Sequence, residues 1–309
     1  CLILPIKGCV TSMNKTDLLE YLKETSSEMT RGNIDEAVLL HFDLVMESYR
    51  EKPSFYKNLW KYDRFMVALS LLSFSYKDEK APLSKVKAFC QERGYMSRNS
   101  LDSYCSFLSI AGYLDVRLHD QDGRQRSFRP TEKALSSTVQ LIKSYLMPSQ
   151  MLSPYDSWLS GLGQNADLSR VYFRGFAKIL EGDFLLDKLL PEAKWILNRD
   201  GGHLPMLALY ADALRTGSLE TGYNVSSYVE LSSRLGVSKT HMQRMIKEGQ
   251  LLGYFKCDKR LVELSPAFLE LIRRAMSIYF AIARVSMELG VDESEVENEP
   301  GGICSVCGR

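Results

Sequence analysis

Along most of the chain apolar residues recur at spacings of three and four, the period of amphipathic helices packed on a core. Two helices are predicted between 14 and 50: the first is capped by Asn14 or Thr16 and carries Leu18, Leu19 and Leu22. The second carries Ile34, Val38, Leu39, Phe42, Val45, Met46 and Tyr49, and Pro53 ends it. A third runs from Leu59 to Tyr76 through Trp60, Phe65, Met66, Leu69, Leu72 and Phe74. A short helix from Leu83 to Arg93, with Val86 and Phe89 inward, leads through Gly94 to Met96 into a helix opened by Ser97 and closed by Gly112. There the period changes to two, from Tyr113 to Leu118. A polar turn through Asp120, Asp122 and Gly123 and a return run to Phe128 complete a predicted hairpin. Helical spacing resumes over 131–147. Pro148 to Gly163 reads as a connector rich in Ser, Pro and Gly, and Asp167 to Asn198 reads as helical.

The same order of elements then returns. A helix through Leu207, Leu209, Tyr210 and Leu214 is followed by a loop from Gly217 to Asn224 and a helix from Tyr228 to Leu235. Next comes GVSKTHMQRMIKEGQLLGY, from Gly236 to Tyr254, in which Ser238 is placed to cap a helix and Gly253 to stop it. In that helix Met242, Met245, Ile246 and Gly249 share the inward face, while Lys239, Thr240, Gln243, Arg244 and Lys247 face out. Ser97, Gly112 and Tyr113 precede Ser238, Gly253 and Tyr254 by the same 141 residues, and Leu101 and Cys105 fall opposite Met242 and Ile246. The pattern predicts an internal duplication. A shorter hairpin follows, out from Tyr254 to Cys257, round at Asp258 and Lys259, and back from Arg260 to Leu264. Ser265-Pro266 then opens a long helix marked by Phe268, Ile272, Ala275, Tyr279, Ile282 and Val285.

The Ser97–Gly112 helix, the GYL at 112–114, the DQDGRQR hairpin tip and RPTEKAL at 129–135 resemble the winged helix-turn-helix family, in particular MarR-like bacterial transcriptional regulators. In that family a Thr or Ser opens the helix after the wing, where Thr131 stands here. The resemblance implies DNA binding with a recognition helix in the major groove. The expected fold is mainly α: tandem winged helix-turn-helix domains, each a three-helix core plus a β-hairpin wing, joined by a helical spacer. The expected division is an N-terminal helical segment over 1–52, a first winged domain over 53–147, the spacer over 148–200, a second winged domain with its long helix over 201–290, and a flexible tail over 291–309.

Composition narrows this little. In 309 residues, 45% hydrophobic and 25% charged is ordinary for a globular protein. A net charge of +1 argues against indiscriminate coating of nucleic acid, yet its distribution is uneven. Residues 82–133 carry +3 and 226–274 carry +4, which leaves −6 on the remainder. Positive charge gathered on the two repeated units is the footprint expected of two nucleic-acid contacts. The candidate DNA-binding residues are Arg98, Asn99 and Ser103 on the first unit's helix and Arg117, Arg124 and Arg126 on its hairpin. In the second unit they are Lys239, Thr240, Gln243, Arg244 and Lys247 on the helix and Lys256, Lys259 and Arg260 on the hairpin. Asp102 falls at the position of Gln243 and repels phosphate, so the first unit is expected to rely on its hairpin and the second on its helix.

The chain has no phosphate-binding glycine loop after a strand, no nucleophile elbow and no paired-histidine metal helix, so no enzyme, cofactor or metal is expected. Of the four histidines, His119 and His241 are expected at phosphate or in solvent, and His41 and His203 in structural positions. Cys304 and Cys307 make half of a zinc site without a second pair, and a flexible tail is the preferred reading. An odd cysteine count, with Cys105 on an apolar face, fits a reducing compartment. The opening CLILPIKGCV lacks the flanks of a secretory signal and no run approaches a membrane span, so a cytoplasmic protein is expected. The expected partner is double-stranded DNA, read sequence-specifically by a transcriptional regulator. A homodimer through the last helix and a small-molecule effector are left open. The alternatives are a plasmid-type replication initiator and a winged-helix protein-interaction module of a chromosome-associated complex.

Overall fold

The computed structural model describes residues 13–78, 81–118, 126–153, 165–197, 203–217, 223–224, 228–258 and 261–297. It is mainly helical, as expected. The helices are α1 (Lys15–Arg31), α2 (Ile34–Glu51), α3 (Pro53–Leu59), α4 (Tyr62–Lys77), α5 (Leu83–Glu92), α6 (Arg98–Ile110) and α7 (Glu132–Leu152). They continue with α8 (Asn165–Gly182), α9 (Leu186–Leu189), α10 (Lys194–Leu197), α11 (Leu204–Arg215), α12 (Tyr228–Leu235), α13 (Lys239–Leu251) and α14 (Pro266–Glu297). A two-stranded antiparallel sheet pairs β1 (Leu114–Leu118) with β2 (Arg126–Pro130), Leu114 opposite Pro130. A second sheet has the order β3-β5-β4 from β3 (Tyr223–Asn224), β4 (Phe255–Asp258) and β5 (Leu261–Leu264).

The centre of the molecule is α14, whose apolar stripe is covered by α8, α7, α1 and α2. Glycines set how closely α8 and α14 approach. A Cβ on Gly290 would lie 1.8 Å from the Val171 carbonyl oxygen, and one on Gly175 would lie 1.9 Å from that of Ser286. Ion pairs tie the bundle's rim. Arg273 of α14 holds Asp35 of α2 with two bonds of 2.7 and 2.8 Å, and the Tyr210 hydroxyl of α11 donates to the same carboxylate at 2.5 Å. Burial pushes the Asp35 carboxyl up, but the bonds from Arg273 and Tyr210 outweigh it and hold it below its ordinary range. Arg284, almost fully buried on α14, meets Glu288 at 2.9 Å, Glu28 at 3.4 Å and the Ser153 hydroxyl at 2.9 Å.

Four boundaries differ from the sequence reading, each for a physical reason. Pro148 does not end α7; it lies inside the helix, which runs to Leu152. A proline at 148 deprives the carbonyl of residue 144 of its usual helical donor. Here Nδ1 of His41 lies 2.7 Å from the Ser144 carbonyl and supplies the missing bond from α2. The predicted Leu59–Tyr76 helix begins at Tyr62, and a short helix that was not expected, α3, precedes it. Pro53 opens α3, where its fixed φ and missing N–H suit a first helical position, and the chain turns at Trp60–Lys61. That turn keeps the Trp60 ring inside, stacked between Tyr56 and Phe65. The 167–198 stretch breaks after α8 at Asp183, whose φ of +63° reverses the chain. The Asp183 carboxylate is held by Arg93 at 2.5 Å. Finally α14 has 32 residues and continues past Val291, where the tail was expected to begin, to Glu297.

Candidate nucleic-acid interface

The duplication inferred from spacing extends to the hydrogen bonds. In the first unit α5 ends at Gly94, with φ +70°, and the Tyr95 N–H returns to the Cys90 carbonyl at 3.0 Å. In the second α12 ends at Gly236, with φ +65°, and the Val237 N–H returns to the Ser232 carbonyl at 3.1 Å. Ser97 then caps α6, its hydroxyl accepting from the Ser100 N–H at 3.4 Å, and Ser238 caps α13, accepting from His241 at 3.1 Å. Both helices stop in the same way, through two backbone bonds that require a left-handed residue between them. Gly112 (φ +75°) donates to Ser109 and Tyr113 to Leu108; Gly253 (φ +74°) donates to Gln250 and Tyr254 to Gly249. After each hairpin the next cap closes the loop on its start. The Thr131 N–H bonds the Tyr113 carbonyl and the Ser265 N–H bonds that of Tyr254, while their hydroxyls cap α7 and α14. The second hairpin gains β3, Tyr223 opposite Val262, from a segment expected to be loop. The first has only a bridge from Pro82 to Ser127 on the corresponding strand.

The second unit presents its candidates together. Met242, Met245, Ile246 and Gly249 are buried on one side of α13, and Lys239, Thr240, Gln243, Arg244 and Lys247 are exposed on the other. Lys239 and Lys247 form no ion pair with another described residue, whereas Arg244 lies 4.0 Å from Glu248. Lys256 is exposed on β4 and pairs across the strands with Glu263 at 3.1 Å. His241 corrects the expectation of phosphate or solvent: it is 6% exposed. One turn before Met245, it falls on the buried row of the helix rather than on the cationic face. His41 and His203 are buried, as expected of structural residues.

The first unit is more neutralised. Arg98, Asn99 and Ser103 are exposed on α6 beside Asp102, and Lys87 of α5 reaches Asp102 at 2.5 Å. The bond from that ammonium holds the Asp102 carboxyl below its ordinary range, so the acid is not an isolated repulsive charge. Arg117 on β1 is likewise engaged by Asp115 at 2.6 Å, which raises the guanidinium's pKa further. Arg126 is exposed at the start of β2. Arg124, Lys259 and Arg260, and also His119, Cys304 and Cys307, lie outside the described residues. Two cations missed by the sequence reading line one open groove with Asn99 and Ser103. Lys61 and Arg64 reach it from the start of α4, Arg64 over the ring of Tyr104. Their position was hidden because α4 was expected to begin before the turn that brings them there.

Exposed aliphatic side chains stand at equivalent places in both units: Ile110 ends α6 at 88% exposure, and Leu251, 141 residues later, ends α13 at 81%. Among the described residues no group of three or more His, Cys, Asp or Glu side chains is placed to hold a metal ion. No described helix is long and apolar enough to cross a membrane. Comparison with protein-family models, curated proteins and solved structures gave no match.

Proposed function

We propose that the chain is a sequence-specific double-stranded DNA-binding protein of the transcription-regulator kind, composed of two winged helix-turn-helix units. The observation that carries this reading is α13. A capped helix buries one face completely and offers Lys239, Thr240, Gln243, Arg244 and Lys247 on the other, directly before a hairpin bearing Lys256. Lysine and arginine neutralise phosphates, and Gln and Arg can each make paired bonds to base edges. In this reading the second unit reads bases with α13, and the first contributes backbone contacts through Arg98, Arg126 and the neighbouring Lys61 and Arg64.

Fluorescence anisotropy with random and selected duplexes across a salt series tests it. DNA binding should weaken linearly in log salt, and Arg244→Ala should flatten the slope by about one unit. Equal affinity for every duplex would remove the sequence-specific part, and salt-insensitive or absent binding would remove the reading altogether.

A second reading, a protein-interaction module, is favoured by one observation on the first unit. Its acids pair with its cations at Asp102–Lys87 and Asp115–Arg117, while Phe107, Ile110 and Leu118 of the same unit stand exposed. Absence of DNA binding, with retention of a protein partner lost on Ile110→Glu, would select that reading.

A further inference from the structure

The faces that α6 and α13 turn outward end in the same way. At 3.6 residues per turn, Leu251 stands about 20° round α13 from Thr240, inside the arc from Gln243 to Arg244 and one turn beyond Lys247. Met242, Met245 and Gly249 are buried on the opposite side. Shifted by 141 residues, Ile110 takes the same place on α6, in line with Asn99, Ser103 and Ser106. Each is the last residue of its helix.

Helix chemistry does not ask for an aliphatic there. A cation complements the C-terminal end of a helix dipole, yet the last turn of neither helix carries one. A single exposed aliphatic needs no explanation. Ile110 and Leu251, however, are the two most exposed large apolar side chains among the described residues, and they occupy one position of the repeat. The neighbouring Leu252 has Ala111 as its counterpart, so it is the outward position that both units keep large and apolar. At such exposure neither side chain packs within the chain, and the glycine stops that follow use backbone bonds.

On a helix face that enters a major groove, an aliphatic group has one base-edge partner of its own kind, the C5-methyl of thymine. Leu251 is bracketed by exposed cations, Lys247 one turn before it and Lys256 on the hairpin strand that follows. A duplex that meets both has Leu251 beneath it. We propose that Leu251 and Ile110 are specificity residues, each packing on the methyl group of a thymine in the half-site that its unit covers. The inference rests on the DNA-binding reading and adds a base contact to the first unit, whose other contacts are to the backbone. From Thr240 to Leu251 the helix rises about 16 Å, roughly five base-pair steps, so the thymine lies at the end of the half-site nearer the hairpin.

Anisotropy with the tightest selected duplex tests this directly. Deoxyuridine pairs as thymidine does and lacks only the methyl, so the thymines are replaced one at a time. In each half-site one replacement at the hairpin end should weaken binding about fourfold, the value of one methyl group taken out of water. Leu251→Ala should abolish that difference in its own half-site and leave the other; Ile110→Ala should do the converse. Both side chains are exposed and uncharged, so both variants should fold and keep the wild-type salt slope. A half-site without a methyl effect, or an effect that survives the matching substitution, would overturn the proposal while salt-sensitive binding kept the DNA-binding reading. Unchanged DNA affinity of Ile110→Ala with loss of a protein partner would also overturn it, and would assign the aliphatic to a protein surface. Absence of salt-sensitive binding to any duplex would remove both readings together.

Discussion

The carbonyl of Ser144 shows what residue-level reading can and cannot reach. The caps Ser97 and Ser238 and the stops Gly112 and Gly253 were visible in the sequence because each acts within a turn of itself. Pro148 was misjudged because the donor that lets it stay in α7 comes from His41, more than a hundred residues away. This contact predicts a double-mutant result. His41→Phe should destabilise the fold by about 1–3 kcal/mol by leaving the Ser144 carbonyl without a donor. Pro148→Ala in the same chain restores an N–H to the helix and should recover about 1 kcal/mol, measurable by urea unfolding. Equal losses in His41→Phe with and without Pro148→Ala would show that the carbonyl is not what His41 serves. At the candidate interface the outward residues of α13 followed from helical period alone. The burial of His241 needed the helix's actual rotation against its neighbours, and the contribution of Arg64 needed the turn at Trp60.

Among elements, the order helix, turn, helix, hairpin, helix was readable twice because each boundary carries its own punctuation. Breaks set by packing were not. The end of α8 is closed by the same pair of backbone bonds, Asp183 to Leu180 and Phe184 to Ile179, but the left-handed position holds an aspartate bound by Arg93 in place of the glycine that signals such a stop, and β3 pairs with β5, which lies far along the chain. The glycines separate two kinds of requirement. Gly94 has a positive φ with open space about its Cα, so Gly94→Ala should lose only the left-handed penalty, about 1–2 kcal/mol. Gly290 has no room at all beside the Val171 carbonyl, and Gly290→Ala must push α8 away from α14 along buried surface. The expected loss is roughly 3 kcal/mol or more, visible as a much larger fall in melting temperature than for Gly94→Ala. Comparable melting temperatures for the two variants would contradict the close backbone approach of α8 and α14.

The whole molecule was the least readable level, because its core joins helices that lie far apart in sequence: α1 and α2 with α7, α8 and α14. That assembly buries two histidines, and a pH dependence follows. Burial pushes His41 down to about 4, against a weaker raising effect of its bond to Ser144. Burial, with His41 nearby, pushes His203 down to about 3. Below their ordinary value of 6.5 the unfolded chain takes up protons that the folded chain refuses. Stability from these groups is therefore full above that value and falls as pH drops toward 4, by up to about 1.4 kcal/mol per pH unit for each histidine. Asp35 acts in a lower window, below its ordinary 3.8, and burial raises Asp63, which acts in the opposite sense just above that value, so the upper part of the range, nearest pH 6.5, reports mainly the histidines in urea unfolding. His203→Asn should reduce the slope by about half; an unchanged slope would place the proton uptake elsewhere.

The short corner where α2 meets α3 has its own consequence. The Tyr49 hydroxyl occupies the space a Cβ at Gly236 would need, so α2 rests on the turn before α13. A few residues later Phe55 stacks at 4.1 Å on Tyr113, just after α6. The α2–α3 corner thus touches both repeated units, at the start of one outward-facing helix and just past the end of the other. If both helices engage a single duplex, the interval between their contact points is gauged by the chain itself. Inserting half a helical turn of DNA between them, about five base pairs, would carry one contact point to the far side of the duplex and out of reach.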